Sequence, residues 1–210
     1  MSSKIILVGY SGHAFVIADC IYRSGFEILG YCDNEEKINN PFDFKFLGKE
    51  TDGKVSSFFK NHFLFLSIGD NRIREKIYLF LKEKNQTQFC NVIDPSAIVS
   101  SMTRIGEAIF IAPNVSINAL GSIGNGVICN TGAIIEHECK INDFAHIAPG
   151  ATLAGNVTIG KRTFIGANAV VKQGVIIGND VTVGAGSVII KDIPDGQTVV
   201  GNPQRLLHKS

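Results

Sequence analysis

The second half of the sequence repeats with a period of six residues. Stepping by six from Ile93 to Ile189 gives seventeen apolar positions, sixteen of them aliphatic, without an insertion. The positions four residues further on, from Ala97 to Ser187, carry small or β-branched residues. This pattern predicts a parallel β-helix in which each hexapeptide supplies one short strand and one turn, and three hexapeptides make a coil. Residues 18 apart then stack about 4.8 Å apart, with the aliphatic side chains inside.

The first ninety residues follow a different pattern. Short apolar runs alternate with segments of helical periodicity, in the order KIILVG, AFVIADCIYRSG, FEILGYCDN, FLFLSIG and NRIREKIYLFLKEKN. Strands that alternate with helices indicate βαβ units and a parallel sheet. We therefore predict two domains, an α/β domain of the Rossmann-like βαβαβ type over residues 1–90 and an all-β parallel β-helix over residues 91–210.

The C-terminal tail IPDGQTVVGNPQRLL no longer fits the six-residue frame. Its prolines and glycines are expected to close the β-helix, and Leu206 and Leu207 to fold back over the end.

Composition restricts the partners and the compartment. The formal charge is +1 and no long charged run occurs, so neither nucleic acid nor an anionic membrane is expected as a partner. The five cysteines form no CxxC pair, which favours reduced thiols in a cytoplasmic protein. No stretch approaches the roughly 20 apolar residues of a membrane helix.

His137 is the principal candidate for chemistry within the repeat. It lies two positions after the inward Ile135, on a turn, so its side chain should point outward. A solvated surface histidine is the plain alternative. Glu136 and Glu138 flank it, and a carboxylate can orient an imidazole and raise its basicity. Gly155, 18 residues on, leaves space beside the ring and a backbone N–H for an oxyanion.

A second histidine, His146, lies only nine residues after His137, which is half a coil. The two should therefore point from different parts of the triangular section and should not touch within one chain.

The segment GYSGH follows the first strand and opens the first helix. Small residues at a helix N-terminus suit a phosphate group. The third glycine of a dinucleotide-binding fingerprint is missing, so NAD is not expected, and a plain βα turn is the alternative. Asp33, at the end of the second strand, is placed to accept hydrogen bonds from a ribose or uracil.

Several segments together resemble a known family. EHECKINDFAHIAPGATLAGNVTIG, VGYSGHA, YCDN, SIGDNRIR and VVGNP are similar to the matching parts of bacterial sugar O-/N-acyltransferases with hexapeptide repeats. The resemblance is closest to UDP-4-amino-sugar N-acetyltransferases of the bacillosamine type, with GDP-perosamine N-acetyltransferases and sialic acid O-acetyltransferases as near relatives. It implies a left-handed β-helix, a homotrimer with active sites between subunits, acetyl-CoA as co-substrate and no metal.

The resemblance also implies roles for individual residues. His137 would be the general base, Glu138 would raise its basicity, and the amide of Gly155 would bind the oxyanion. The residues implied to contact acetyl-CoA are His146, Ala167 and Ala185. Those implied to contact the nucleotide-sugar are Ser11, Gly12, His13, Asp33, Asn34 and Gly69. The family often has two acids where this chain has Asp33 and Asn34, which leaves the base and sugar preference open.

Three kinds of alternative to acetylation of a UDP-amino sugar are open, namely a different acetyl acceptor, a zinc enzyme and a module without enzymatic activity. The same fold and base would serve O-acetylation of a sugar or acetylation of a GDP-amino sugar. A zinc enzyme resembling the γ-class carbonic anhydrases needs three histidines, and the repeat contains only two. A non-enzymatic nucleotide-sugar-binding or scaffolding module is the third alternative.

Overall fold

The computed structural model describes residues 4–53, 55–83 and 88–207. The chain divides into two compact units, Met1–Pro95 and Ser96–Ser210. Within the described residues, no helix is long and apolar enough to cross a membrane.

The first unit contains a five-stranded parallel sheet with helices. Its elements are β1 (Ile5–Val8), α1 (Gly12–Arg23), β2 (Ile28–Cys32), β3 (Phe46–Gly48), α2 (Ser56–Phe59), β4 (Phe63–Leu66), α3 (Asn71–Glu83), β5 (Gln88–Phe89) and β6 (Val92–Ile93). The sheet has the order β3-β2-β1-β4-β5, and every pair in it is parallel. The predicted α/β class is confirmed, and the order places the carboxyl ends of β2, β1 and β4 side by side.

Helix α1 illustrates how the sequence pattern determines packing. Ala14, Ile17, Ala18 and Ile21 recur at helical spacing, and all four are buried. The helix ends where the N–H of Ser24 bonds to the carbonyl of Cys20 at 3.0 Å. The next residue, glycine 25, has a φ of +79°, a left-handed conformation that commonly terminates helices.

The second unit is built from very short strands at intervals of six residues. Between residues 96 and 207, all of which the structure describes, the sixteen two-residue strands are β7 (Ile98–Val99), β8 (Arg104–Ile105), β9 (Phe110–Ile111), β10 (Ser116–Ile117), β11 (Ser122–Ile123), β12 (Ile128–Cys129), β13 (Ile134–Ile135), β14 (Lys140–Ile141), β15 (His146–Ile147), β16 (Thr152–Leu153), β17 (Thr158–Ile159), β18 (Phe164–Ile165), β19 (Val170–Val171), β20 (Ile176–Ile177), β21 (Thr182–Val183) and β22 (Val188–Ile189). Two further strands, β23 (Thr198–Val200) and β24 (Arg205–Leu206), end the chain.

Every third strand pairs in parallel, so the strands form three sheets around a common core. We name each by its first two-residue strand in the second unit, namely the β7 sheet (β7 to β22), the β8 sheet (β8 to β20) and the β9 sheet (β9 to β21, before the tail). In each pair the partners are 18 residues apart, as in Ile117 with Ile135 and Ile135 with Leu153. The predicted parallel β-helix is confirmed, with three hexapeptides to a coil.

The second residue of each strand forms the core. From Ile111 to Ile189 all fourteen of these side chains are buried, as the six-residue frame predicts. Val99 is only partly buried and Ile105 is exposed. Both belong to the first coil of the repeat. Among the described residues, their strands pair with a following coil only, so these side chains are covered on one side.

The turns share one backbone conformation. Every sixth residue from Ala108 to Gly186 has a positive φ, whether or not it is glycine. This left-handed residue bends the chain by the angle that three flat sheets need at each corner. Its presence at Leu120 and Glu138 indicates that the surrounding hydrogen bonds overcome a local cost of about 1–2 kcal/mol at each such site.

The tail ends the β-helix by adding two strands to the β9 sheet. Strand β23 pairs in parallel with β21, and β24 then turns back antiparallel to β23. The backbone folds back as expected, but the side chains of Leu206 and Leu207 are exposed and do not cover the core. The expectation for these two side chains was therefore wrong.

Two adjacent isoleucines in β20 test the core directly. Ile176 is 54% exposed and Ile177 is fully buried at 0%. We expect Ile177→Ala to lower the free energy of unfolding by about 2–5 kcal/mol, because it leaves a cavity in a column with no room to collapse. Ile176→Ala should cost less than about 1 kcal/mol. Urea unfolding followed by circular dichroism measures both, and equal losses would contradict the assigned inward direction.

Candidate active site

His137 and Glu138 form the turn that follows strand β13. Their Nδ1 and Oε2 atoms lie 3.0 Å apart, and both side chains are about half exposed to solvent. Neighbouring side chains on a strand point to opposite faces and cannot meet. Here Glu138 has the left-handed conformation of the corner, with a φ of +63°, and the two side chains come together.

Backbone hydrogen bonds fix this corner to the coils on either side. The N–H of Glu138 donates to the carbonyl of Ala119 at 3.0 Å, and the carbonyl of His137 accepts from the N–H of Asn156 at 2.8 Å. The imidazole therefore projects from a rigid backbone, although its side chain is exposed.

Glu136 does not contact the imidazole. Its Oε2 atom accepts a hydrogen bond of 2.8 Å from Nδ2 of Asn118, one coil earlier. Of the two acids that flank His137 in the sequence, only Glu138 is paired with it.

Gly155 lies beside the ring of His137 on the next coil. A Cβ atom at position 155 would lie 2.5 Å from Nε2 and 3.1 Å from Nδ1 of the imidazole. Real Cβ atoms do not approach other atoms so closely, so a side chain here would displace the ring. The position of the imidazole, and not the backbone conformation, favours glycine here.

His146 lies on a different part of the coil, as the first residue of β15 in the β9 sheet. It is only 8% exposed, and its ring stands edge-on to Phe164 at a centroid distance of 5.0 Å. Its Nε2 atom is 3.2 Å from Nδ2 of Asn130. Among the contacts of the described residues, none joins His146 to His137.

Ala167 and Ala185 occupy equivalent corners of successive coils in the second unit. The N–H of Gly186 donates to the carbonyl of Ala167 at 2.8 Å, which locks the two corners in register. Ala185 is exposed and Ala167 is partly exposed. Together they present a strip of backbone without bulky side chains.

The first unit contains a cavity of about 340 Å³ at the carboxyl ends of β1, β2 and β4. Four of the six residues predicted to bind a nucleotide-sugar line it, namely Ser11, Asp33, Asn34 and Gly69. Gly12 and His13 are not among its lining residues.

Asp33 shapes this cavity through its carboxylate. Oδ2 accepts the N–H of Tyr10 at 2.9 Å, and Oδ1 accepts the N–H of Asn34 at 2.7 Å. Lys37, which also lines the cavity, places its Nζ atom 3.1 Å from Oδ1. Most of the hydrogen-bonding capacity of Asp33 therefore holds the turn after β1 and the loop after β2.

His13 is partly buried in the first turn of α1. Burial and, to a smaller extent, the positive charge of Arg74 together lower the pKa of its imidazole to about 4. The ring is therefore neutral at physiological pH.

Arg74 in α3 was not identified from the sequence. It is 1% exposed, and its Nη1 atom donates to the carbonyls of Ile68 and Gly69 at 2.9 and 3.0 Å. Its Nη2 atom donates to Oδ1 of Asn71 at 2.8 Å, and burial lowers the pKa of the guanidinium to about 9. Arg74 thus fixes the loop after β4 that lines the cavity. An amphipathic helix gives no signal that one of its arginines points inward.

Side chains that could bind a metal ion would also belong to such a site. Across residues 4–53, 55–83 and 88–207, no cluster of three or more His, Cys, Asp or Glu side chains is arranged to hold a metal ion.

Comparison with known families matches both units. Residues 4–81 match the family model for the PglD N-terminal domain, and residues 156–191 match the model for the hexapeptide repeat of succinyl-transferase. A curated relative, GDP-perosamine N-acetyltransferase of Escherichia coli O157:H7, is 33% identical over 121 residues. That stretch covers 55% of this chain and 55% of the relative, so the chain matches about half of the relative's length.

Two solved structures resemble the chain over its whole length. The acetyltransferase domain of PglB from Neisseria gonorrhoeae FA1090, in complex with acetyl coenzyme A, is 31% identical with a TM-score of 0.90, covering 99% of this chain and 100% of that one. A variant of perosamine N-acetyltransferase from Caulobacter crescentus, in complex with CoA and GDP-perosamine, is 32% identical with a TM-score of 0.90 and covers 100% and 99%.

Similarity at this level extends over both units and includes the fold, the repeat and the N-terminal domain. The chain therefore belongs to the family of acetyl-CoA-dependent sugar N-acetyltransferases that contains these proteins.

Proposed function

We propose that this protein transfers the acetyl group of acetyl-CoA to the amino group of a nucleotide-linked amino sugar. The observation that carries the proposal is the His137–Glu138 pair, held on a rigid corner with an open glycine beside the imidazole. The cavity at the carboxyl ends of the parallel strands supports a substrate whose sugar is linked to a nucleotide, because open α/β sheets bind nucleotides and similar ligands at this edge.

The geometry suits direct attack by the amine. With Nδ1–H of His137 donating to the carboxylate of Glu138, the lone pair of Nε2 is available to take a proton from the sugar amine. The amine nitrogen bonds to the thioester carbon, and a tetrahedral intermediate forms. The carbon–sulfur bond then breaks, and the proton held on Nε2 passes to the departing CoA thiolate.

The backbone N–H of Gly155 is our candidate for stabilising the oxyanion. No hydrogen bond among the described residues uses this N–H. At another corner of the coil, the N–H groups of Glu107 and Asn125 are bonded by side chains of the next coil at 3.0 and 2.7 Å. A free N–H beside the general base is available to the substrate carbonyl.

For the cofactor, we propose that acetyl-CoA lies along the strip formed by Ala167 and Ala185 and reaches His146. The lack of bulky side chains on this strip would let an extended chain lie close to the backbone. His137 and His146 have no contact within one chain, so we propose that residues of neighbouring subunits complete each site in a homotrimer. Closed threefold symmetry suits a prism with flat faces.

Three exposed apolar residues on the outer face of the β7 sheet support self-association. Ile98, Ile134 and Val170 recur at intervals of two coils, with Ser116 and Thr152 on the coils between them. Exposed apolar groups on a flat face commonly mark a protein interface.

His137 and Glu138 should control turnover. We expect His137→Ala to lower kcat by about 100- to 10,000-fold, because the amine loses its proton acceptor. Glu138→Gln should lower kcat by about ten-fold or more, since the imidazole loses its orienting charge. Acetyl-CoA consumption with a panel of UDP- and GDP-linked amino sugars measures these effects.

The matched control for Glu138→Gln is Glu136→Gln, which alters the other flanking acid without touching the imidazole. Equal losses in the two variants would contradict the assigned pair. Full activity of His137→Ala would exclude the proposed base.

Gly155→Ala tests the space beside the imidazole. We expect kcat to fall by about ten-fold or more because the new methyl group displaces the ring of His137 from its working position. The double variant with His137→Ala should be no slower than His137→Ala alone, since two changes that act through one group are not additive. Additive losses in steady-state kinetics would show that Gly155 acts independently of His137.

Ile134→Lys tests the subunit interface. A charge at the middle one of the three exposed apolar residues should convert a trimer to monomers and lower kcat with it, because each site would lose the residues of its neighbour. Light scattering after size-exclusion chromatography measures the mass. Ile176→Lys, an equivalent change on the outer face of the β8 sheet, should leave the mass unchanged, and a trimer that survives Ile134→Lys would contradict the assigned face.

A further inference from the structure

Three carboxylates line the cavity of the first unit, and two of them are already engaged. Asp33 accepts two backbone N–H groups and contacts Lys37. Asp70 caps the N-terminus of α3, where its Oδ1 atom accepts the N–H groups of Arg72 and Ile73 at 2.9 and 2.8 Å. Both of these acids therefore have partners within the protein.

The third carboxylate, Glu50, is not engaged in this way. It follows β3 by two residues, lines the cavity and is only 7% exposed. Within residues 4–53, 55–83 and 88–207 it has no hydrogen bond and no ion pair. Its carboxylate oxygens open into the cavity and therefore keep their acceptor capacity for donors of a ligand.

The chemistry of Glu50 limits which part of a nucleotide-sugar can lie against it. A carboxylate repels a diphosphate, so the neighbouring group must present N–H or O–H donors. The same cavity is also lined by Ile68, Ile73 and Ile77. A nucleotide base combines an apolar face, which suits such aliphatic side chains, with hydrogen-bond donors on its edge.

We propose that Glu50 recognises the base of the nucleotide and selects guanine, so that the substrate is a GDP-linked amino sugar. This inference rests on the proposed function. Guanine presents two adjacent donors on one edge, N1–H and the 2-amino group, which match the two oxygens of one carboxylate. Uracil presents a single N3–H between two carbonyl oxygens, so the second oxygen of Glu50 would face an acceptor. Specificity arises from this repulsion as well as from the extra hydrogen bond.

Binding of three free nucleotides to the full-length protein tests the proposal without any substitution. Isothermal titration calorimetry with GDP, IDP and UDP is suitable, and IDP is the sharpest probe because it lacks only the 2-amino group of guanine. We expect GDP to bind about ten-fold or more tightly than IDP, since a hydrogen bond to a charged group is lost. UDP should bind more weakly than GDP by at least the same factor.

Glu50→Gln should remove the discrimination. Glutamine keeps the size of the side chain but replaces one acceptor by a donor, so the affinities for GDP and IDP should become equal within about two-fold. Glu36→Gln is the matched control, because Glu36 is exposed and is not among the lining residues. The GDP preference should be unchanged in this control.

Two results would overturn the proposal. One is a wild-type protein that binds UDP as tightly as GDP or that does not distinguish GDP from IDP. The other is a Glu50→Gln variant that weakens all three nucleotides equally, which would assign Glu50 to the ribose. Acetyl transfer to a UDP-linked but not a GDP-linked amino sugar would sink this inference alone, whereas no transfer to either would sink the proposed function.

Discussion

The β-helix depends on the parallel pairing of residues 18 apart. Each short strand donates and accepts backbone hydrogen bonds with the coils before and after it, and the same spacing stacks Ile117, Ile135 and Leu153 in one inward column. Strands of two residues have little stability of their own, so pairing between coils and burial of the column have to form together. The corner that carries His137 is held by the same ladder, through the N–H groups of Glu138 and Asn156.

The first unit places its chemistry by a different rule. A parallel sheet brings the ends of separate strands to one edge, and the polar residues that follow β1, β2, β3 and β4 meet there. At this edge, Arg74 is buried beneath the loop after β4. The acids Asp33, Glu50 and Asp70 line the cavity. The buried cation also contributes to keeping His13 neutral.

The sequence predicted side-chain directions correctly in the β-helix, where the six-residue repeat determines which side chains point inward. The six-residue frame fixes which side chains enter the core, and it also placed Gly155 beside His137. It could not choose between Glu136 and Glu138, because that choice depends on a left-handed turn and on Asn118 one coil away.

The cavity was harder to predict than the repeat. Glu50 lies in a crossover without periodicity, and Arg74 lies on a helix whose pattern does not show that its guanidinium bonds to the carbonyls of a neighbouring loop. Both residues owe their positions to tertiary contacts that no local pattern encodes. Burial of His13 arises in the same way.

His137 packs against Gly155, which is 18 residues away in the sequence. In the second unit, a side chain thus packs against the residue 18 positions away on the adjacent coil. The amino acids tolerated at any position are therefore set by the residues one coil before and one coil after it. Sequence variation among such proteins should be compared along these columns, because a change of side-chain size in one coil alters the space at the matching position of the adjacent coils.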